Sequence, residues 1–105
     1  MILVRDIFQL KFGKSKEAVK QLKQALEMTK KNGFAPDRLL TDFTGPFYTV
    51  VMESTHKDLA TYEKSLHSEL GSEDWKKWYA GFVPLVESGS REMFTVVEDN
   101  SQGHS

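Results

Sequence analysis

Residues 72–86 read SEDWKKWYAGFVPLV and hold both tryptophans of the chain. Ser72 is placed to cap a helix, and Glu73 and Asp74 fall in its first turn, where the helix dipole favours negative charge. Trp75, Trp78, Tyr79 and Phe82 recur at helical spacing, so they form one apolar stripe about two turns long. Pro84 ends the helix, because the residue before a proline, here Val83, is pushed away from helical geometry. So much aromatic surface on so short an element must be buried. It is either plain core or the wall of a pocket for an apolar ligand.

Upstream of this segment, Thr55 is read as an N-cap with Asp58 completing a capping box. The helix it opens runs to about Leu70, buries Leu59, Tyr62, Leu66 and Leu70, and ends at Gly71. Before it, residues 37–44 and 47–53 make two strands turned at Gly45-Pro46. The β-branched and aromatic run Phe47 to Met52 belongs at the centre of a sheet. A longer helix spans about 16–32, capped by Ser15, burying Ala18, Val19, Leu22, Ala25, Leu26 and Thr29 on one stripe. Gly33 fits the left-handed position after it, with Phe34 folding back. Lys16, Lys20, Lys23, Lys30 and Lys31 lie off that stripe and read as a solvated face.

The first strand, residues 2–12, alternates. Ile2, Val4, Asp6, Phe8, Leu10 and Phe12 lie on one face; Leu3, Arg5, Ile7, Gln9 and Lys11 lie on the other. The first face belongs under helices, with Asp6 as the exception. The second is mixed, and Leu3 and Ile7 on it point to cover by a second subunit. A last strand follows Gly89, from about Arg91 to Glu98. The order is thus β-α-β-β-α-(short α)-β, an α+β chain of the split βαβ or ferredoxin-like kind. Right-handed crossovers then place both long helices on one face of a four-stranded antiparallel sheet. Residues 1–98 form one domain, and the polar tail 99–105 has no apolar side chain to pack.

Composition narrows the function classes. The 105 residues are enough for one domain with a small core. A net charge of −1 gives no electrostatic case for nucleic acid or an anionic membrane. No apolar run approaches the roughly 20 residues a membrane span needs. The chain has no cysteine, so it offers no disulfide, thiolate nucleophile or cysteine metal site. The cytoplasm is the expected location. No RNP aromatic pattern, Gly-rich phosphate loop or nucleophile elbow is present.

With this element order, with Leu10-Lys11-Phe12-Gly13-Lys14 closing the first strand and with an aromatic short helix before the last strand, residues 1–98 resemble the dimeric α+β barrel superfamily. That superfamily includes antibiotic-biosynthesis-type monooxygenases, haem-degrading monooxygenases and NIPSNAP-like proteins. The resemblance implies a homodimer in which two sheets pack face to face. It also implies a ligand cavity between each sheet and its own helices. The activity it implies is cofactor-independent oxidation or isomerisation of an aromatic or polyketide-like molecule. The haem-degrading members carry an asparagine on the first strand, where Asp6 stands here. They carry a haem-ligating histidine on the short helical segment, where this chain has Trp78 and Tyr79. No cofactor is therefore expected, and no catalytic residue is carried over.

The candidate pocket residues are Asp6, Phe8, Tyr48, Trp75, Trp78, Tyr79 and Phe82. Asp6 is either a pocket base or ligand anchor, or a carboxylate paired with an arginine or tyrosine. The aromatic helix either stacks a flat ligand or fills the core. Tyr79 is a candidate donor, with Tyr48 and Tyr62 as further hydroxyls. His56, Glu63 and His67 fall near one side of a helix but lack a further ligand, so no metal site is expected. The chain is read as a small-molecule-binding protein, with a non-enzymatic dimerisation or ligand-sensing module as the alternative. Whether it is an enzyme stays open.

Overall fold

The structure, a computed structural model, describes residues 1–31 and 37–100. The expected helix end at Gly33-Phe34, His104 and the last five residues of the tail lie outside the described residues. The elements are β1 (Ile2–Leu10), α1 (Ser15–Lys31), β2 (Arg38–Thr41), β3 (Thr49–His56), α2 (Leu59–Leu70), α3 (Glu73–Phe82), a 3-10 turn (Val83–Leu85) and β4 (Val86–Thr95). They form one antiparallel sheet in the order β2-β3-β1-β4, the ferredoxin-like arrangement that the element order implies.

The even-numbered residues of β1 face the helices. Leu10 from β1 and Val50 from β3 join Ala18 and Leu22 of α1, Phe82 of α3 and Leu85 in one buried cluster. Phe8, Met52 and Trp78 pack against its edge. The α1 stripe is as expected: Ala18, Leu22, Ala25 and Thr29 are buried, and Val19 and Leu26 half-buried. On α2, Tyr62 is buried and Leu66 half-buried, but Leu59 is exposed because it opens the helix at its solvent end.

Several boundaries differ from the sequence reading for local reasons. β1 stops at Leu10, where the amide of Lys11 turns to the Leu85 carbonyl (2.8 Å) and Gly13 takes φ 79°. Phe12 is therefore exposed rather than under the helices, with its edge on the Tyr48 ring. The β2–β3 strands end at Thr41 and begin at Thr49, because Asp42 closes the loop, accepting from the Thr49 amide through its carboxylate (3.0 Å). Thr55 does not cap α2. It stays in β3, and its hydroxyl donates to Asp37. Asp58 is the cap, accepting from the Thr61 amide at 2.8 Å. Ser72 caps α3 as expected, accepting from the Trp75 amide at 3.1 Å. Val83 keeps helical φ and ψ (−50°, −43°) despite Pro84. Its amide continues the helix by donating to the Tyr79 carbonyl, and Pro84 sits in the first turn of the following 3-10 segment, where no amide is needed. The chain becomes extended at Val86.

β4 thus begins earlier than expected and runs through Gly89, which pairs with Phe8. A Cβ at residue 89 would lie 3.2 Å from the Phe8 ring, so the ring occupies the space a side chain would take. A glycine inside a strand marks such a close approach. β4 is a sheet edge, exposed along nearly its whole length.

The opposite sheet face carries Ile7 and Leu40 on either side of Val51, and Leu3 beside Phe94. Among them Glu53 is buried. It is held by Arg38 (2.5 Å) and Arg5 (3.2 Å), and Arg5 also reaches Glu92 (3.5 Å). No helix among the described residues is long and apolar enough to cross a membrane.

Phe82 is the largest fully buried side chain. Truncation to alanine is expected to destabilise the fold by about 3–5 kcal/mol, measured by urea unfolding.

Candidate functional site

A cavity of about 530 Å³ lies between the sheet and its helices. Its floor comes from Asp6 and Phe8 of β1, Met52 of β3 and Arg91 of β4. Ala25, Leu26 and Thr29 of α1 form one side, and Tyr62 and Leu66 of α2 the other. α3 closes it with Trp75, Lys76, Trp78, Tyr79 and Phe82. This volume lies within the range of small-molecule sites.

The wall from α3 is a continuous aromatic ladder. The rings of Trp75 and Trp78 lie 4.9 Å apart, tilted by 36°. Trp78 stacks on Phe82 at 4.9 Å and 16°, and Phe82 meets the edge of Phe8 at 5.3 Å. The indole nitrogen of Trp78 donates to the Gln21 carbonyl on α1 at 2.6 Å. That bond anchors the ladder to the domain. Tyr79, about half exposed, sits on the rim.

The other end is polar. Asp6 and Arg91 stand opposite each other in the β1–β4 ladder, and the Arg91 Nε donates to the Asp6 carboxylate at 2.5 Å. The guanidinium lies over the Tyr62 ring, 5.8 Å from its centre, a cation–π contact. Burial opposes the charge on Arg91. The hydrogen bond and charge of Asp6, with Tyr62, outweigh burial and hold its pKa above the ordinary value. Burial pushes the Tyr62 phenol up; Arg91 pulls it down and Asp6 adds to the rise. The edge of the His56 ring meets Tyr62 at 4.8 Å, and His56 shares a hydrogen bond with Ser54 (2.9 Å).

The structure brings together Asp6, Phe8, Trp75, Trp78, Tyr79 and Phe82. Tyr48 is elsewhere. It lines a separate hollow with Phe12, Asp42 and Phe47 and takes φ 60°, in the β2–β3 loop rather than in β3. Asp6 lines the cavity and is paired with Arg91, as the second reading of it expects. Arg91 lines the cavity but is not among the residues that sequence spacing singles out, because its strand starts five residues before the expected start. The available signal was Asp6 itself, since a carboxylate on an apolar face calls for a cation from a neighbouring strand. Among the described residues no group of three side chains could hold a metal ion.

Solved structures share the fold. The chain superposes on an uncharacterized NIPSNAP domain protein from Burkholderia xenovorans with a TM-score of 0.84, 15% identity, and coverage of 94% of this chain and 100% of the other. The fold is shared with NIPSNAP-domain proteins. A NIPSNAP family protein from Agrobacterium tumefaciens gives a TM-score of 0.83 at 15% identity over 90% of each chain. An antibiotic biosynthesis monooxygenase gives 0.71 at 16% identity, covering 93% of this chain and 100% of that one. No protein-family model and no curated protein sequence matches the chain.

Burial lowers the His56 pKa below its ordinary 6.5, and Asp37 partly restores it. The folded state then binds that proton less readily than the unfolded chain. This contribution to stability is present above the ordinary pKa and is lost as pH falls through the lowered one. Melting temperature is expected to drop between about pH 7 and about pH 5, and His56→Gln to flatten that slope, as read by calorimetry.

Proposed function

We propose that this protein binds a small, flat, apolar or aromatic molecule, of the size of a polyketide ring system, between its sheet and helices. The observation that carries the reading is one cavity with an aromatic ladder on one side and a charge-balanced polar cluster at the other. Such sites are mostly apolar, with a few placed polar groups that fix orientation. A filled interior with the same aromatics would have supported a plain core.

Cofactor-independent oxidation or isomerisation is the finer reading, supported by the likeness to a solved antibiotic biosynthesis monooxygenase. Asp6 is already engaged by Arg91, so the geometry supports binding better than proton abstraction by Asp6. The rival reading, a ligand-sensing module without turnover, uses the same cavity.

The reading includes a homodimer formed through the outer sheet face. Leu40 and Phe94 are exposed there beside half-buried Ile7, so a second sheet packed on this face would take apolar surface out of water.

Titration with naphthalene-based probes is expected to quench the fluorescence of Trp75 and Trp78. Leu66→Phe, which intrudes on the cavity, should weaken the binding about tenfold or more. Unchanged quenching in that variant would remove the cavity from consideration. Light scattering after size exclusion should give twice the 12.0 kDa chain mass, shifting toward the monomer in Leu40→Asp. A wild-type monomer at about 10 μM would sink the dimer, since a stable pair stays associated well below that concentration.

A further inference from the structure

We infer that the ligand is uncharged and carries a carbonyl-type acceptor oxygen on its flat ring, and that the Tyr62 hydroxyl donates to it. This rests on the cavity reading above and names the chemical class that the site takes. Tyr62 is 2% exposed and lines the cavity. Its hydroxyl is buried and makes no hydrogen bond among the described residues. Arg5 Nε and one oxygen of Glu53 share that condition, but both sit within ion pairs on the other sheet face.

Four other polar groups around the cavity are engaged, and the Tyr79 hydroxyl lies on the half-exposed rim. Asp6 and Arg91 hold each other, the Thr29 hydroxyl donates to the Leu26 carbonyl (3.0 Å), and the Lys76 ammonium reaches Glu73 (3.5 Å). A buried hydroxyl without a partner is costly, so an acceptor supplied by a ligand recovers what the empty fold loses. The raised pKa of the phenol keeps it protonated and therefore a donor. Charge argues for a neutral ligand. Asp6 and Arg91 cancel, so an anion gains from Arg91 what it loses to Asp6, and a cation meets the reverse. The hydroxyl is closed off from solvent, so the ligand oxygen reaches it by displacing a neighbour.

The test titrates the full chain with three naphthalene probes: methyl naphthyl ketone, ethylnaphthalene and naphthoate. The ketone is expected to bind about five- to tenfold more tightly than the hydrocarbon, the worth of one net hydrogen bond. Tyr62→Phe should bring that ratio close to one, with no loss in melting temperature because the deleted hydroxyl has no partner in the fold. Naphthoate should bind no better than the hydrocarbon. Equal binding of ketone and hydrocarbon, a ratio unchanged by Tyr62→Phe, or preference for naphthoate would each overturn the inference while leaving the cavity reading intact. Failure of all three probes to bind would overturn both.

Discussion

The hydrogen bond from the Trp78 indole to the Gln21 carbonyl sets the position of everything on α3. α3 is only ten residues long and could not hold its own place by helix propensity. Fixed to the middle of α1, it must turn Trp75 and Phe82, which share the stripe of Trp78, in the same direction. Phe82 then fills the core beneath, while Trp75 reaches out over space that no side chain fills. The cavity exists because one end of α3 is packed tight and the other bridges.

The polar end depends on strand register in the same way. Asp6 and Arg91 meet because β1 and β4 pair residue for residue from Ile2 to Gln9, with the irregularity postponed to Leu10. A slip of one residue in β4 would send Arg91 to the opposite face and leave Asp6 unpaired. Their pairing leaves the site electrically balanced but adds little stability, since both side chains keep some contact with water. Such a pair is better understood as shaping what can enter.

Much of this was legible in the residues. Alternation along β1, the stripes on α1 and α3 and the Ser72 cap each depend on local period or chemistry, and those survive in the fold. The failures share a cause. Local turn and cap preferences point to Gly45-Pro46 and Thr55, but ladder pairing and the Asp42 carboxylate decide where those strands end. Val83 keeps helical geometry because the helix hydrogen bond to Tyr79 outweighs a dipeptide preference. Gly89 looked like a boundary because its compensation, the Phe8 ring, is eighty-one residues away in sequence. For the candidate site, the aromatic wall could be read from spacing alone, whereas Arg91 and the orphaned Tyr62 hydroxyl come from register and packing that no local pattern encodes.

The exposed edge formed by β4 has a consequence of its own. Ten residues of strand present a free row of backbone donors and acceptors, a surface on which another chain can template itself. Glu87, Arg91 and Glu92 place charge along it, and Gly89 weakens its propensity to recruit a neighbour. The same irregularities that make the strand hard to recognise thus oppose such templating. A chain relieved of them would read more clearly as a strand and template a neighbour more readily.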